Sequence, residues 1–194
     1  MILSNIEIQR ALDDRRLIID PLPSPLKFGD GTKSPFQTSA VDLRLGDLFS
    51  YMKDDRSFAI DLTRGNFKSM FMDNSITIQC SRESPFVLRP GKLVLGQTLE
   101  RVAFPLVENS ACLAARVEGR SSFARCGLLV HFTAPTVHAG FSGSITLELI
   151  NLGPCDLLLV PGTPICQLIV EEVKGTPSRI VSQFQGQSKP GGAS

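Results

Sequence analysis

The sequence predicts an all-β domain of sandwich or jelly-roll-barrel type, and three observations carry that prediction. From about residue 76 onward, short apolar segments recur with alternating polarity. Turn signals separate them, including two Pro-Gly turns in similar surroundings, Arg89-Pro-Gly91 and Val160-Pro-Gly162. Helical periodicity is confined to the first residues of the chain. Regular short strands between such turns are the pattern of sandwiches and jelly rolls.

Taken in order, the elements begin with a short helix. Ser4 and Glu7 form a Ser-x-x-Glu capping box, and Ile8, Ala11 and Leu12 follow at helical spacing. The proline-rich run Pro21-Leu-Pro-Ser-Pro25 cannot continue that helix. Residues 27–39 are polar and turn-rich, and an apolar alternation follows in Val41-Asp-Leu-Arg-Leu45. Strands are then expected at Ile76-Thr-Ile78, Phe86-Val-Leu88, Leu93-Val-Leu95, Cys112 to Val117, Ile145 to Ile150, Leu157 to Val160 and Ile165 to Val170. The two Pro-Gly turns suggest at most a weak internal duplication. Residues 182–194 are rich in Gln, Gly and Ser, and read as a disordered tail or a lid that orders on ligand. The expected organisation is therefore a domain over 1–181 and a flexible tail over 182–194.

A chain of 194 residues with 42% hydrophobic content is long enough for one domain with its own core. A net charge of +1 argues against a broad electrostatic footprint for a nucleic acid polymer or an anionic membrane, so any anion site is local. No apolar run reaches the length of a membrane span, and Met1-Ile-Leu-Ser-Asn opens no signal peptide, so a cytoplasmic location is expected. Five scattered cysteines read as reduced thiols. There is no Cys-x-x-Cys, and the only histidines are His131 and His138. The zinc-deaminase signature is thus missing, and no protein-bound zinc is expected.

The chemistry concentrates between residues 117 and 148. Arg120, Ser121, Ser122 and Arg125 pack two guanidinium forks and two hydroxyls into six positions, a composition suited to a polyphosphate. The same stretch also reads as a surface turn leading into a helix. Further on, Glu148 stands alone in Ile145-Thr-Leu-Glu-Leu-Ile150, where alternation sets Thr146 and Glu148 on the face opposite Ile145, Leu147 and Leu149. That face either meets water or presents a carboxylate held ionised by nearby arginines as a proton acceptor. His131 reads as a core or interface histidine, and His138, among glycines, borders a ligand or a turn.

At this point the residues resemble a family. Gly119-Arg-Ser-Ser-Phe-Ala-Arg125, Gly127-Leu, His131-Phe-Thr-Ala134, Gly140-Phe-Ser-Gly143 and Thr146-Leu-Glu148 together are similar to the motifs of the dCTP deaminases, within the trimeric dUTPase-like superfamily. Further likeness runs through Val41-Asp-Leu-Arg-Leu-Gly46, Leu88-Arg-Pro-Gly91, Ile165-Cys-Gln167 and Phe184-Gln-Gly-Gln187. The resemblance implies a dUTPase-like jelly roll or distorted β-barrel. It also implies a homotrimer with sites between subunits, and dCTP bound with Mg²⁺ on its triphosphate. It raises dTTP as a feedback inhibitor.

In this resemblance Glu148 matches the general base, Ser121 and Arg125 match groups that organise the water and the glutamate, and the Ala134 carbonyl matches a partner of the cytosine amino group. Arg120, Ser122 and the adjoining backbone of Phe123 and Ala124 match triphosphate contacts. Thr146 and Leu147 fall in the base-reading strand, His138 near the deoxyribose, Gln167 at a frequent contact, and Gln183 and Gln187 in the closing tail. Three positions depart from the commonest pattern: His138 replaces an aspartate, Gln183 a lysine, and the tail tyrosine has no counterpart, since the only tyrosine is Tyr51. Deamination to dUTP is the implied reaction. The competing readings are a diphosphatase making dUMP, alone or after deamination, and a nucleotide-sensing module without catalysis.

Overall fold

The computed structural model describes residues 1–25, 34–53, 59–61, 63, 67–107, 111–178, 186 and 189–190, with only the backbone at 67–68. Gln183, Phe184 and Gln187 lie outside the described residues. Of the expected lid, Gly186 is described, and its N–H donates to the Ser142 carbonyl at 2.8 Å.

The capped helix forms as α1 (Asn5–Asp13), with the Ser4 hydroxyl accepting from the Glu7 N–H at 3.3 Å and Ile8 and Ala11 turned into the core. Four short strands follow: β1 (Ile18–Asp20), β2 (Phe36–Gln37), β3 (Ala40–Arg44) and β4 (Leu48–Met52). A second helix, α2 (Phe67–Asn74), precedes β5 (Ser75–Gln79), β6 (Phe86–Leu88), β7 (Leu93–Ala103) and β8 (Leu113–Gly119). One helical turn, α3 (Ser121–Ala124), then leads to β9 (Leu128–Val130) and β10 (Thr136–Val137). The chain closes with β11 (Ser142–Asn151), β12 (Leu157–Leu159) and β13 (Pro164–Glu172).

Each of the seven segments expected as strands is a strand, although β7 runs eleven residues where only its first three were marked. Two main sheets result. One has the order β5-β4-β7-β11-β9 with β1 also on β7, and the other has the order β10-β8-β13-β3-β2. Phe36, Phe49, Phe104, Leu147, Leu149 and Leu168 are among the fully buried side chains of one core cluster. Burying such side chains drives the fold at roughly 25 cal/mol per Å² of apolar surface.

The two Pro-Gly turns have a common geometry. Strands β6 and β12 pair antiparallel, Leu88 opposite Leu157, and each is followed by its turn, with Gly91 and Gly162 at φ +72° and +83°. Glycine takes this left-handed backbone without steric cost.

Register in the β7–β11 pair shifts between Ser144 and Thr146. A side chain holds the shift in place: the Thr98 hydroxyl accepts from the Ile145 N–H at 2.9 Å and donates to the Glu100 carbonyl at 2.7 Å. No helix among the described residues is long and apolar enough to cross a membrane.

Candidate active site

Strand β11 sets the first half of the site. Its alternation points Ile145, Leu147 and Leu149 inward, at 4%, 0% and 0% exposure, and leaves Thr146 and Glu148 on the outer face. Leu147 can therefore offer a ligand only its backbone. Strand β9 runs alongside, Val130 opposite Leu149, and is followed by His131, whose backbone turns left-handed at φ +53°. The His131 N–H donates to the Glu148 carbonyl at 2.8 Å, and its Nδ1 lies 2.7 Å from Glu148 Oε2. The imidazole nitrogen thus lies within ion-pair distance of the carboxylate.

Four influences act on Glu148. Burial is the largest, and it pushes the carboxyl upward; the His131 contact, its charge, and a backbone hydrogen bond together outweigh it. The net result holds Glu148 below the usual carboxylate range. It is an ionised acceptor at neutral pH. His131, expected as a core or interface residue, is buried and also faces this carboxylate.

The second half of the site is built on the other sheet. Arg120 follows β8, and its guanidinium Nη1 is paired with Asp42 of β3. Between them runs β13, placing Gln167 opposite both Glu118 and Asp42. Gln167 Nε2 donates to Asp42 Oδ1 at 3.1 Å, and Gln37 Nε2 to Asp42 Oδ2 at 3.3 Å. One nearly buried carboxylate thus fixes two residues expected at the ligand, leaving the other guanidinium nitrogens of Arg120 for an anion. A cavity of about 740 Å³ opens beside them, lined by Arg120, Asp42, Arg44, Ser34, Thr38 and Asn5 among others. Arg44 is itself held by the wholly buried Glu100, Nε to Oε1 at 2.6 Å. Behind the clamp, burial pushes the Cys166 thiol far up, so it is inert. In the sequence Asp42 carries no site signal of its own: it falls in an alternating segment that also resembles the family.

The remaining expected residues are distributed as follows. Ser121, Ser122, Ala124 and Arg125 are exposed on α3, while Phe123 packs its ring against the core. Ala134 and His138 are exposed in the segments flanking β10. Arg125 forms no ion pair with Glu148 inside the chain; the described ion-pair partner of Glu148 is His131. Arg125 lines a separate cavity of about 530 Å³ with Cys126, Gly127, Leu152, Gly153 and Cys155. The α3 end is pressed onto that second wall: a Cβ on Gly127 would overlap the Gly153 backbone, and one on Gly153 would overlap the Cys126 carbonyl. Asn151, fully buried, holds the wall by donating to the carbonyls of Leu88 at 2.9 Å and Cys155 at 2.8 Å and accepting from the Gly153 N–H at 2.9 Å.

A family model described as dCTP deaminase-like matches residues 2–173. The chain belongs to the dCTP deaminase-like family. Among its relatives, a Dictyoglomus turgidum protein named "dCTP deaminase, dUMP-forming" is 42% identical over 168 residues, covering 87% of this chain and 78% of the relative. A Methanosphaera stadtmanae protein of the same name is 35% identical over 195 residues, covering 97% and 91%. One from Natronomonas pharaonis, named "dCTP deaminase", is 38% identical over 195 residues, covering 98% and 92%. Among solved structures, the 2'-deoxycytidine 5'-triphosphate deaminase of Agrobacterium tumefaciens superposes with a TM-score of 0.59 at 18% identity, over 87% of this chain and 47% of that one. That likeness speaks to the fold. The dCTP deaminase-like assignment and the mostly β fold expected from the sequence are both met.

Proposed function

We propose that the protein hydrolyses dCTP to dUTP and ammonia, with Glu148 as general base. The observation that carries this reading is an ionised carboxylate, held by His131 on the outer face of β11, in a chain of this family. Glu148 takes a proton from water, and the resulting hydroxide attacks C4 of cytosine. The same carboxyl then delivers a proton to the C4 amine, which leaves as ammonia. The Ala134 carbonyl accepts from the cytosine amino group, while Thr146 and the Leu147 backbone meet the base and His138 the sugar. Arg120, Ser122 and the backbone of Phe123 and Ala124 bind the triphosphate with its Mg²⁺. Gln167 supports Arg120 through Asp42, Gln183 and Gln187 close over the nucleotide, and dTTP competes as a feedback inhibitor.

Ser121 and Arg125 orient the water and the base from a neighbouring subunit of a homotrimer. What supports the shared site is the separation just described, since Arg125 and Glu148 are not paired within one chain. Glycine-flanked α3 is exposed and presents Arg125 outward.

A second reading, deamination followed by release of pyrophosphate to give dUMP, is favoured by the names of the Dictyoglomus and Methanosphaera relatives. Against it stands His138, which matches the position of the aspartate that serves diphosphatase chemistry and supplies no carboxylate there. Incubation with dCTP and Mg²⁺ tests both readings. Ammonia with dUTP is the expected result, stoichiometric pyrophosphate with dUMP establishes the second, and no ammonia overturns deamination altogether.

A further inference from the structure

Four buried side-chain atoms among the described residues have no hydrogen-bond partner: Gln97 Oε1, His131 Nδ1, Thr146 Oγ1 and Glu148 Oε2. Three of them belong to residues already placed around the base and its water. Gln97 has no role yet, and register places it beside them. On β7 it stands directly opposite Thr146 of β11, so both side chains leave the same face of the sheet, the face that carries Glu148.

The surroundings of Gln97 are shaped to hold it there. It is 9% exposed, its carbonyl accepts from the Gly46 N–H at 2.8 Å, and a Cβ on Gly46 would lie 3.1 Å from its Cγ. A side chain at 46 would crowd the amide, and glycine leaves it room. A buried amide oxygen without a donor destabilises the free protein by the full loss of its hydration. An apolar side chain of the same length would be more stable at this position. The amide is therefore explained by something it receives, and what Gln97 Oε1 lacks is a donor, because an amide oxygen can only accept.

We propose that Gln97 is a specificity-determining residue whose Oε1, next to Thr146, accepts a hydrogen bond from an N–H or O–H of the nucleoside bound against β11. This rests on the deaminase reading of the same face. Two groups of a deoxycytidine supply such a donor, the base amino group and the sugar 3'-hydroxyl.

The test is Gln97→Met, which keeps length and removes the acceptor. The ligand-free variant is expected to melt higher than wild type, because an unsatisfied polar atom is gone. Its KM for dCTP is expected to rise about tenfold, with kcat reduced less than threefold. A purely structural amide gives the opposite sign in the melting experiment. The same pair of proteins is then compared on 2',3'-dideoxycytidine triphosphate. A penalty that disappears there assigns the donor to the sugar, and one that persists assigns it to the base. A lower melting temperature, an unchanged KM, or a variant of altered oligomeric mass overturns the proposal, the last because a neighbouring chain then supplies the donor. If wild type releases no ammonia from dCTP, the deaminase reading fails instead. Calorimetric binding of dCTP to both proteins then still decides the role of Gln97.

Discussion

Glu148 sits where burial and an imidazole pull in opposite directions, and the imidazole side prevails. Replacing it by Gln keeps the shape and removes the proton acceptor, so kcat is expected to fall about 10²–10⁴-fold while dCTP still binds. Turnover within about threefold of wild type would remove Glu148 from the mechanism. Its depressed pKa also fixes the acid side of the pH profile. The base is available above its folded pKa, and activity is lost as pH falls through that value. The stability it contributes follows the same sign: full above the unfolded glutamate value of about 4.3, and lost as pH falls through the folded one. In His131→Ala only burial and the backbone bond remain, so the acid limb of kcat is expected to move to higher pH. A profile that stays in place would show that the imidazole does not act on the base. At this scale the sequence was half legible. Alternation marked Glu148 because a strand has a period of two, but nothing periodic marks His131, which lies past the end of β9 on a left-handed backbone. Asp42 was hidden for a related reason: its partners Arg120, Gln167 and Gln37 come from three other strands or their ends.

Among the elements, α3 and the turn after β11 behave as one piece. Their backbones approach so closely that neither Gly127 nor Gly153 tolerates a Cβ in place. Gly153→Ala is expected to destabilise by about 1–3 kcal/mol through overpacking and to lower kcat by displacing Arg125. Gly175→Ala is the comparison, since that glycine has a left-handed φ of +89° but nothing within 4 Å. It should cost only the conformational strain, about 1–2 kcal/mol, with turnover untouched. Urea denaturation and steady-state kinetics on both variants check this, and equal kinetic effects would refute the coupling of the turn to α3. The longer strands could be read from their alternation and punctuation. Strands β9 and β10, three and two residues long, are too short to establish a period. Helix α2 has neither an acidic first turn nor a basic last turn to announce it.

For the whole molecule, the separation of Arg125 from Glu148 makes a sharp demand on assembly. Glu148→Gln and Arg125→Ala subunits, each inactive alone, are expected to regain activity when refolded together, because some mixed interfaces then pair an intact Glu148 with an intact Arg125. Absence of any recovery would place both residues in a single-chain site. Sequence motifs implied the trimer through resemblance alone; charge and composition carry no such information, since an interface need not differ from the rest of the surface. The Thr98 hydroxyl has a consequence at this same scale. Sliding β11 by one residue against β7 would turn Leu147 and Leu149 outward and drive Glu148 into the core. It would also remove the Ile145 amide from the hydroxyl that receives it. Threonine 98 therefore works as a proofreader of alignment: a chain that passes its check has its carboxylate on the working face, and catalytic competence is inherited from correct folding rather than added after it.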